Sequence, residues 1–173
     1  MASLLVSDTS VLVDLDRGHL LEALFRLPSS IGVPDVLYAD ELEKWNGDRL
    51  LSLGLRVLEL GPDGVTLAQS YVKASTNISV PDAFALALCK AGGHTLLTGD
   101  RRLRSLAETE HVTCHGLLWV LDEIEDAGAA GPEVLLAGLE QIVASRRVRL
   151  PMDQVRHRLE RYRRLAEPDH HGG

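Results

Sequence analysis

Leu4-Leu5-Val6-Ser7-Asp8-Thr9-Ser10 and Thr95-Leu96-Leu97-Thr98-Gly99-Asp100 share one pattern: a short apolar run followed within a few residues by an aspartate. Such runs, bounded by turn and capping residues, read as buried parallel strands that lead into helices. Strand signals fall at residues 4–7, 31–33, 55–60, 95–98 and 111–115. Helical patterns occupy residues 11–15, 20–27, 34–45, 64–74, 80–91, 101–107 and 117–126. This alternation predicts an α/β fold around a parallel sheet of about five strands. Trp45-Asn46-Gly47-Asp48, Gly61-Pro62-Asp63-Gly64 and Gly92-Gly93 read as turns that stop helices and strands.

A chain of 173 residues with 45% hydrophobic content suits a complete core and excludes a disordered or fibrous class. Its apolar runs are all too short to span a bilayer, and no basic leader follows Met1, so a cytoplasmic protein with no membrane partner is expected. Cys89 and Cys114 lack metal-ligand spacing and read as buried, reduced thiols. Gly128-Ala129-Ala130-Gly131-Pro132 reads as a linker between a unit of residues 1–127 and a helical, arginine-rich C-terminal extension, 128–173. That extension carries helical patterns at 132–145 and 151–166. The net charge is −7, yet Ser145 to Glu167 holds eight arginines and three acids. Met152, Val155, Leu159, Tyr162 and Leu165 form one narrow apolar stripe suited to docking, with Arg156, Arg163 and Arg164 opposite it and open to phosphates or an acidic protein.

Four acids stand out. Asp8 and Asp100 end strands, where ligands gather in open α/β sheets. Each is also a natural helix N-cap, although Thr9 or Ser10 could cap in place of Asp8. Asp82 sits in Ser79-Val80-Pro81-Asp82, a variant capping box, ahead of a helix that is apolar all round and therefore buried. At about 100° per residue, Glu41 falls inside an apolar arc with Leu37, Tyr38, Leu42 and Trp45, where a charge needs a partner. Asp40 borders that arc. Convergent carboxylates repel one another and are best explained by a hard divalent cation, which points to phosphoester chemistry. Thr98 adds a hydroxyl beside Asp100, and Arg101 and Arg102 add two cations. No histidine reads as a ligand, and no Gly-rich phosphate loop or nucleophile elbow is present.

Leu5 to Ser10, Val33-Pro34 through Glu41-Leu42, Val80 to Ala87 and Leu97-Thr98-Gly99-Asp100 together resemble, in order and spacing, the PIN-domain nucleases. The resemblance covers residues 4–123, and the stretch from Pro132 onward lies outside it. It implies a PIN-like three-layer α/β/α fold. It also implies a metal-dependent endoribonuclease that hydrolyses RNA phosphodiester bonds with Mg²⁺ or Mn²⁺ held by Asp8, Glu41, Asp82 and Asp100. Thr9, Ser10, Thr98 and Arg101 are candidates to position water and phosphate. Arg102 stands where many members have a further acid, so a fifth ligand is not expected. Many small bacterial and archaeal members are VapC-like toxins, which implies RNA as substrate, an antitoxin protein as partner, and a homodimer. Two rival readings are an inactive PIN-like scaffold module and a metal-dependent phosphatase of the haloacid-dehalogenase type. Retention of all four acids weighs against the first, and Ser10, where such phosphatases carry a second Asp, weighs against the other.

Overall fold

The computed structural model describes residues 3–168. Five strands form one sheet: β1 (Leu4–Ser7), β2 (Ser30–Pro34), β3 (Arg56–Leu58), β4 (Thr95–Leu97) and β5 (Cys114–His115). All neighbours pair in parallel, in the order β3-β2-β1-β4-β5. The helices are α1 (Thr9–Arg17), α2 (Leu21–Phe25), α3 (Asp35–Leu37), α4 (Glu43–Leu53), α5 (Pro62–Ala74), α6 (Val80–Gly92), α7 (Arg101–Thr109), α8 (Leu117–Asp126), α9 (Pro132–Ala144) and α10 (Met152–Ala166), with a π-helical turn at Tyr38–Leu42. None of the described helices is long and apolar enough to cross a membrane.

The chain divides into two compact units. One contains residues up to Leu12 together with Pro28–Leu117, and so the whole sheet. Every residue of β1 is buried, since it is the central strand of a parallel sheet surrounded by helices, which is why Leu4-Leu5-Val6 is a continuous apolar run. Leu4, Val6 and Leu96 share a core with Ala83, Leu86, Ala87 and Cys89 of α6 and with Leu103 of α7. The all-round apolar sequence of α6 is matched by near-complete burial from Ala83 to Cys89. It ends where Gly93 takes φ +64°, a left-handed cap that costs glycine little. Cys89 is buried and Cys114 half-buried, both as free thiols.

The second unit contains Val13–Leu27 and the residues from Leu118 onward. The linker candidate at 128–132 is a short turn within this unit, with Gly128 at φ +62° between α8 and α9. The α10 stripe docks on its own chain: Val155 and Tyr162 are fully buried, while Met152 and Leu165 at the stripe's ends are 55% exposed. Arg158 forks onto Asp122 at 2.9 and 2.6 Å, and Arg161 onto Glu125 at 3.1 and 2.6 Å. Such paired N–H···O bonds add orientation as well as energy. Arg163, expected on an open face, instead reaches Glu140 of α9 at 3.1 Å. It does so because α9 packs along α10 and brings a carboxylate within reach.

Gly18 and Gly138 let two backbones meet in this unit. A Cβ on Gly138 would stand 2.6 Å from Leu20 Cδ1 and 2.8 Å from the Gly18 carbonyl oxygen. Replacing an interior helical glycine with alanine normally gains about 1 kcal/mol. Here the collision with backbone reverses the sign, and Gly138→Ala should cost roughly 1–3 kcal/mol. A melting temperature lowered by several degrees is the expected result, and a raised one would show that the contact yields.

Candidate active site

β1 and β4 lie side by side, with Ser7 opposite Leu97. From β1 the chain moves to β2 and β3 on one side, and later returns to place β4 and β5 on the other. The β1/β4 border is therefore the switch point of the sheet, where a crevice opens beyond the strands' carboxyl ends. Asp8, Thr98 and Asp100 all stand at that end.

Asp8 is only 4% exposed. Its N–H donates to the Leu97 carbonyl at 2.9 Å and so prolongs the β1–β4 ladder by one residue. Its Oδ1 accepts from the Val11 N–H at 2.9 Å and lies 2.9 Å from Ser10 Oγ, which also lies 3.0 Å from Oδ2. The Thr98 hydroxyl donates to Oδ2 as well. Asp8 thus caps α1 after all. Thr9 and Ser10 do not take over that duty, because they begin the helix and turn their hydroxyls onto carboxylates. Burial, above all, raises the Asp8 pKa; bonds from Thr98, Val11 and Ser10 oppose the rise and the charge of Asp100 adds to it.

Asp82 is half-buried in the first turn of α6, and its N–H donates to Ser79 Oγ at 3.2 Å, as the capping pattern requires. Its pKa is pushed up to about 6, first by burial, then by the charge of Asp8, with Glu41 and Asp100 adding to the rise and a Ser79 bond opposing it. Asp82 therefore stands within electrostatic reach of the other three acids. Asp100 is exposed and caps α7, its Oδ1 accepting from the Arg102 and Leu103 N–H groups at 2.8 and 3.0 Å. Its own N–H donates to Thr98 Oγ1 at 3.0 Å.

Glu41 reaches the site by a different route from the one its sequence phase implies. It is exposed, and Trp45, assigned to the same apolar arc, is 40% exposed. The segment Tyr38–Leu42 is a π turn, closed by the Glu43 N–H bonding to the Tyr38 carbonyl five residues back. The extra residue in that turn shifts the phase, so Leu37 and Leu42 are both fully buried although an α-helix would set them about 140° apart. Glu41 is left at the rim, where its Oε2 accepts from the Thr9 hydroxyl. Asp40 is exposed with no such contact among the described residues. The expected turn at 45–48 is a kink inside α4, at Asn46 with φ −157°.

Thr9, Ser10 and Thr98 therefore donate to Glu41 and Asp8 and so orient those carboxylates. Arg101 is exposed on the first turn of α7, one residue past Asp100, with no ion pair among the described residues. A residue that sequence reasoning does not single out is Arg104, which donates to the Thr98 carbonyl at 3.2 Å and occupies the space a Cβ on Gly116 would need. Its position one helical turn after Asp100 is a signal that could have found it. Ser7, fully buried, donates to the Asp8 carbonyl at 2.8 Å.

Among the described residues no three His, Cys, Asp or Glu side chains stand ready to hold a metal ion. Both Asp8 oxygens and one Glu41 oxygen are engaged by hydroxyls instead. By donor type the set nonetheless fits a hard cation: it is all oxygen, and Asp8 and Asp82 are raised first by burial and then by neighbouring carboxylates, both of which a cation would offset.

The family model that matches this chain is described as a PIN domain and covers residues 4–164. The chain belongs to the PIN-domain family, and its parallel five-stranded sheet is that of the PIN-like three-layer α/β/α fold. PIN domains are generally nucleases, and such nucleases generally use divalent metals. The match runs well past Pro132, so α9 and most of α10 lie within the family's span and not beyond it. No curated protein matches the chain.

The Asp82 environment sets a pH dependence. Unfolded, this carboxyl titrates near 3.8, and folded near about 6, so the native state holds the proton more tightly. Its contribution to stability is complete below the lower value and is lost as pH rises through the upper one. In EDTA, the wild type should lose melting temperature relative to Asp82→Asn as pH rises from about 4 to about 7. Parallel melting curves across that window would show that Asp82 titrates normally.

Proposed function

We propose that this chain is a metal-dependent endoribonuclease whose Asp8, Glu41, Asp82 and Asp100 hold Mg²⁺ or Mn²⁺. The observation that carries the reading is Asp82, raised to about 6 by burial and by all three other acids at the sheet's switch point. A bound divalent ion there supplies charge neutralisation and a more acidic water for in-line attack on the RNA phosphodiester. Asp8, Glu41, Asp82 and Asp100 would hold the ion, and the Asp100 cap uses Oδ1 alone. Thr98 and Ser10 fix the Asp8 carboxylate, Thr9 steadies Glu41, and Arg101 meets a phosphate oxygen of the substrate.

The same reading extends to the chain's setting. We place it in the cytoplasm as the toxin of a toxin–antitoxin pair, neutralised by a partner protein and acting as a homodimer. Family membership is the support for these roles. Growth arrest on expression, relieved by the product of the neighbouring reading frame, is the outcome they require.

Purified protein should cleave RNA with Mn²⁺ but not with EDTA, and should leave a generic phosphate monoester intact. Asp8→Asn and Asp82→Asn should each reduce cleavage by at least about 100-fold while the circular dichroism spectrum stays native. RNA cleavage that persists in EDTA, or survives both substitutions, would sink the proposal.

Glu41 and Asp40 are separated by their contacts. Glu41→Gln should remove most activity, and Asp40→Asn should leave it near wild type. Equal losses would mean that the Thr9 contact does not mark the ligand.

A further inference from the structure

The π turn that carries Glu41 does not stand alone. It is followed by the kink at Asn46, after which Gly47 is buried. A Cβ on Gly47 would lie 2.7 Å from the Tyr38 hydroxyl oxygen, 3.2 Å from Tyr38 Cζ and 3.3 Å from the Leu42 carbonyl oxygen. Tyr38 opens the π turn and Leu42 closes it, so Gly47 touches both of its ends. Only a residue without a side chain leaves the tyrosine ring room between the kink and the turn.

An α-helix is the ordinary conformation for such a segment, since π turns are rare and recur mostly as single-turn bulges, frequently at functional sites. Tyr38 lies close against the Gly47 backbone, and the buried side chains of Leu37 and Leu42 anchor the wide turn on either side. If the segment relaxed to α, residues after Tyr38 would rotate by about 100°. Glu41 would then swing away from Thr9.

Resting on the metal-site reading above, we infer that Gly47 and Tyr38 are positioning residues for the Glu41 ligand. They act through the π turn and touch neither substrate nor metal. Three features agree: the π hydrogen bond, the kink and the close approach.

The test is Mn²⁺ binding by calorimetry to the full chain, with circular dichroism as a check on folding. Gly47→Ala should weaken binding about tenfold, the scale of losses from residues that orient metal ligands. Gly47→Ala combined with Tyr38→Phe should recover most of it, because the 2.7 Å collision disappears and the next contact is 3.2 Å. Should Gly47→Ala fail to fold, Tyr38→Leu with Gly47 intact removes the close contact from the other side and should weaken binding similarly. Unchanged affinity in the folded single variants overturns the inference while the metal reading stands. A loss in Gly47→Ala that Tyr38→Phe does not relieve also overturns it, as general damage. A wild-type chain that binds no Mn²⁺ removes the metal reading and this inference together.

Discussion

The hydrogen bond from the Asp8 N–H to the Leu97 carbonyl fixes where the two central strands end relative to each other. One residue beyond the ladder, a carboxylate is then buried almost completely. A buried charge is costly unless hydrogen-bonded, and the chain answers with donors from Val11, Ser10 and Thr98. Those donors shape the surroundings. The Val11 bond starts α1, and Thr98, held against Asp8, accepts from the Asp100 N–H and so sets the turn into α7. The site follows from accommodating one carboxylate at the end of β1.

Three of the four acids open helices. Asp8 and Asp100 are caps, and Asp82 lies in the first turn of α6. Helix N-termini carry partial positive charge, and each offsets some of the repulsion among the acids. The offset is incomplete, since Asp82 stays raised to about 6 by burial and by its three neighbours. Capping does not use up the Asp100 carboxylate, since Oδ1 takes both cap bonds and Oδ2 stays outside the cap.

The strands, their parallel pairing and α5 to α8 were legible because burial on both faces writes itself as short apolar runs and because Gly and Pro mark the turns. Asp8, Asp82 and Asp100 were legible for the same reason, since strand ends and helix starts can be counted along the chain. Glu41 was reached by an argument that the structure does not support. The steady 100° phase assumed from Leu37 to Trp45 fails because the turn gains a residue at Tyr38–Leu42 and breaks again at Asn46. Nothing in residues 38–42 announces a π turn, and the glycine that lies against Tyr38, Gly47, is nine residues further on. The acceptors of the three hydroxyls were not legible for a related reason: sequence places Thr9, Ser10 and Thr98 near the acids but cannot say which carboxylate each one finds.

Charge placement completes the picture. Three of the C-terminal arginines, Arg158, Arg161 and Arg163, are held by Asp122, Glu125 and Glu140, while Arg146, Arg147, Arg149, Arg156 and Arg164 form no ion pair among the described residues. The basic segment thus partly neutralises acids of its own unit. Asp8, Glu41, Asp82 and Asp100 receive no such treatment: among the described residues none of them forms an ion pair with lysine or arginine. A fold that needed those carboxylates only as caps would lose nothing by pairing them with the arginines at hand, Arg101, Arg102 and Arg104. Leaving them unpaired concentrates negative charge at the sheet's switch point, and the helix N-termini there offset only part of it.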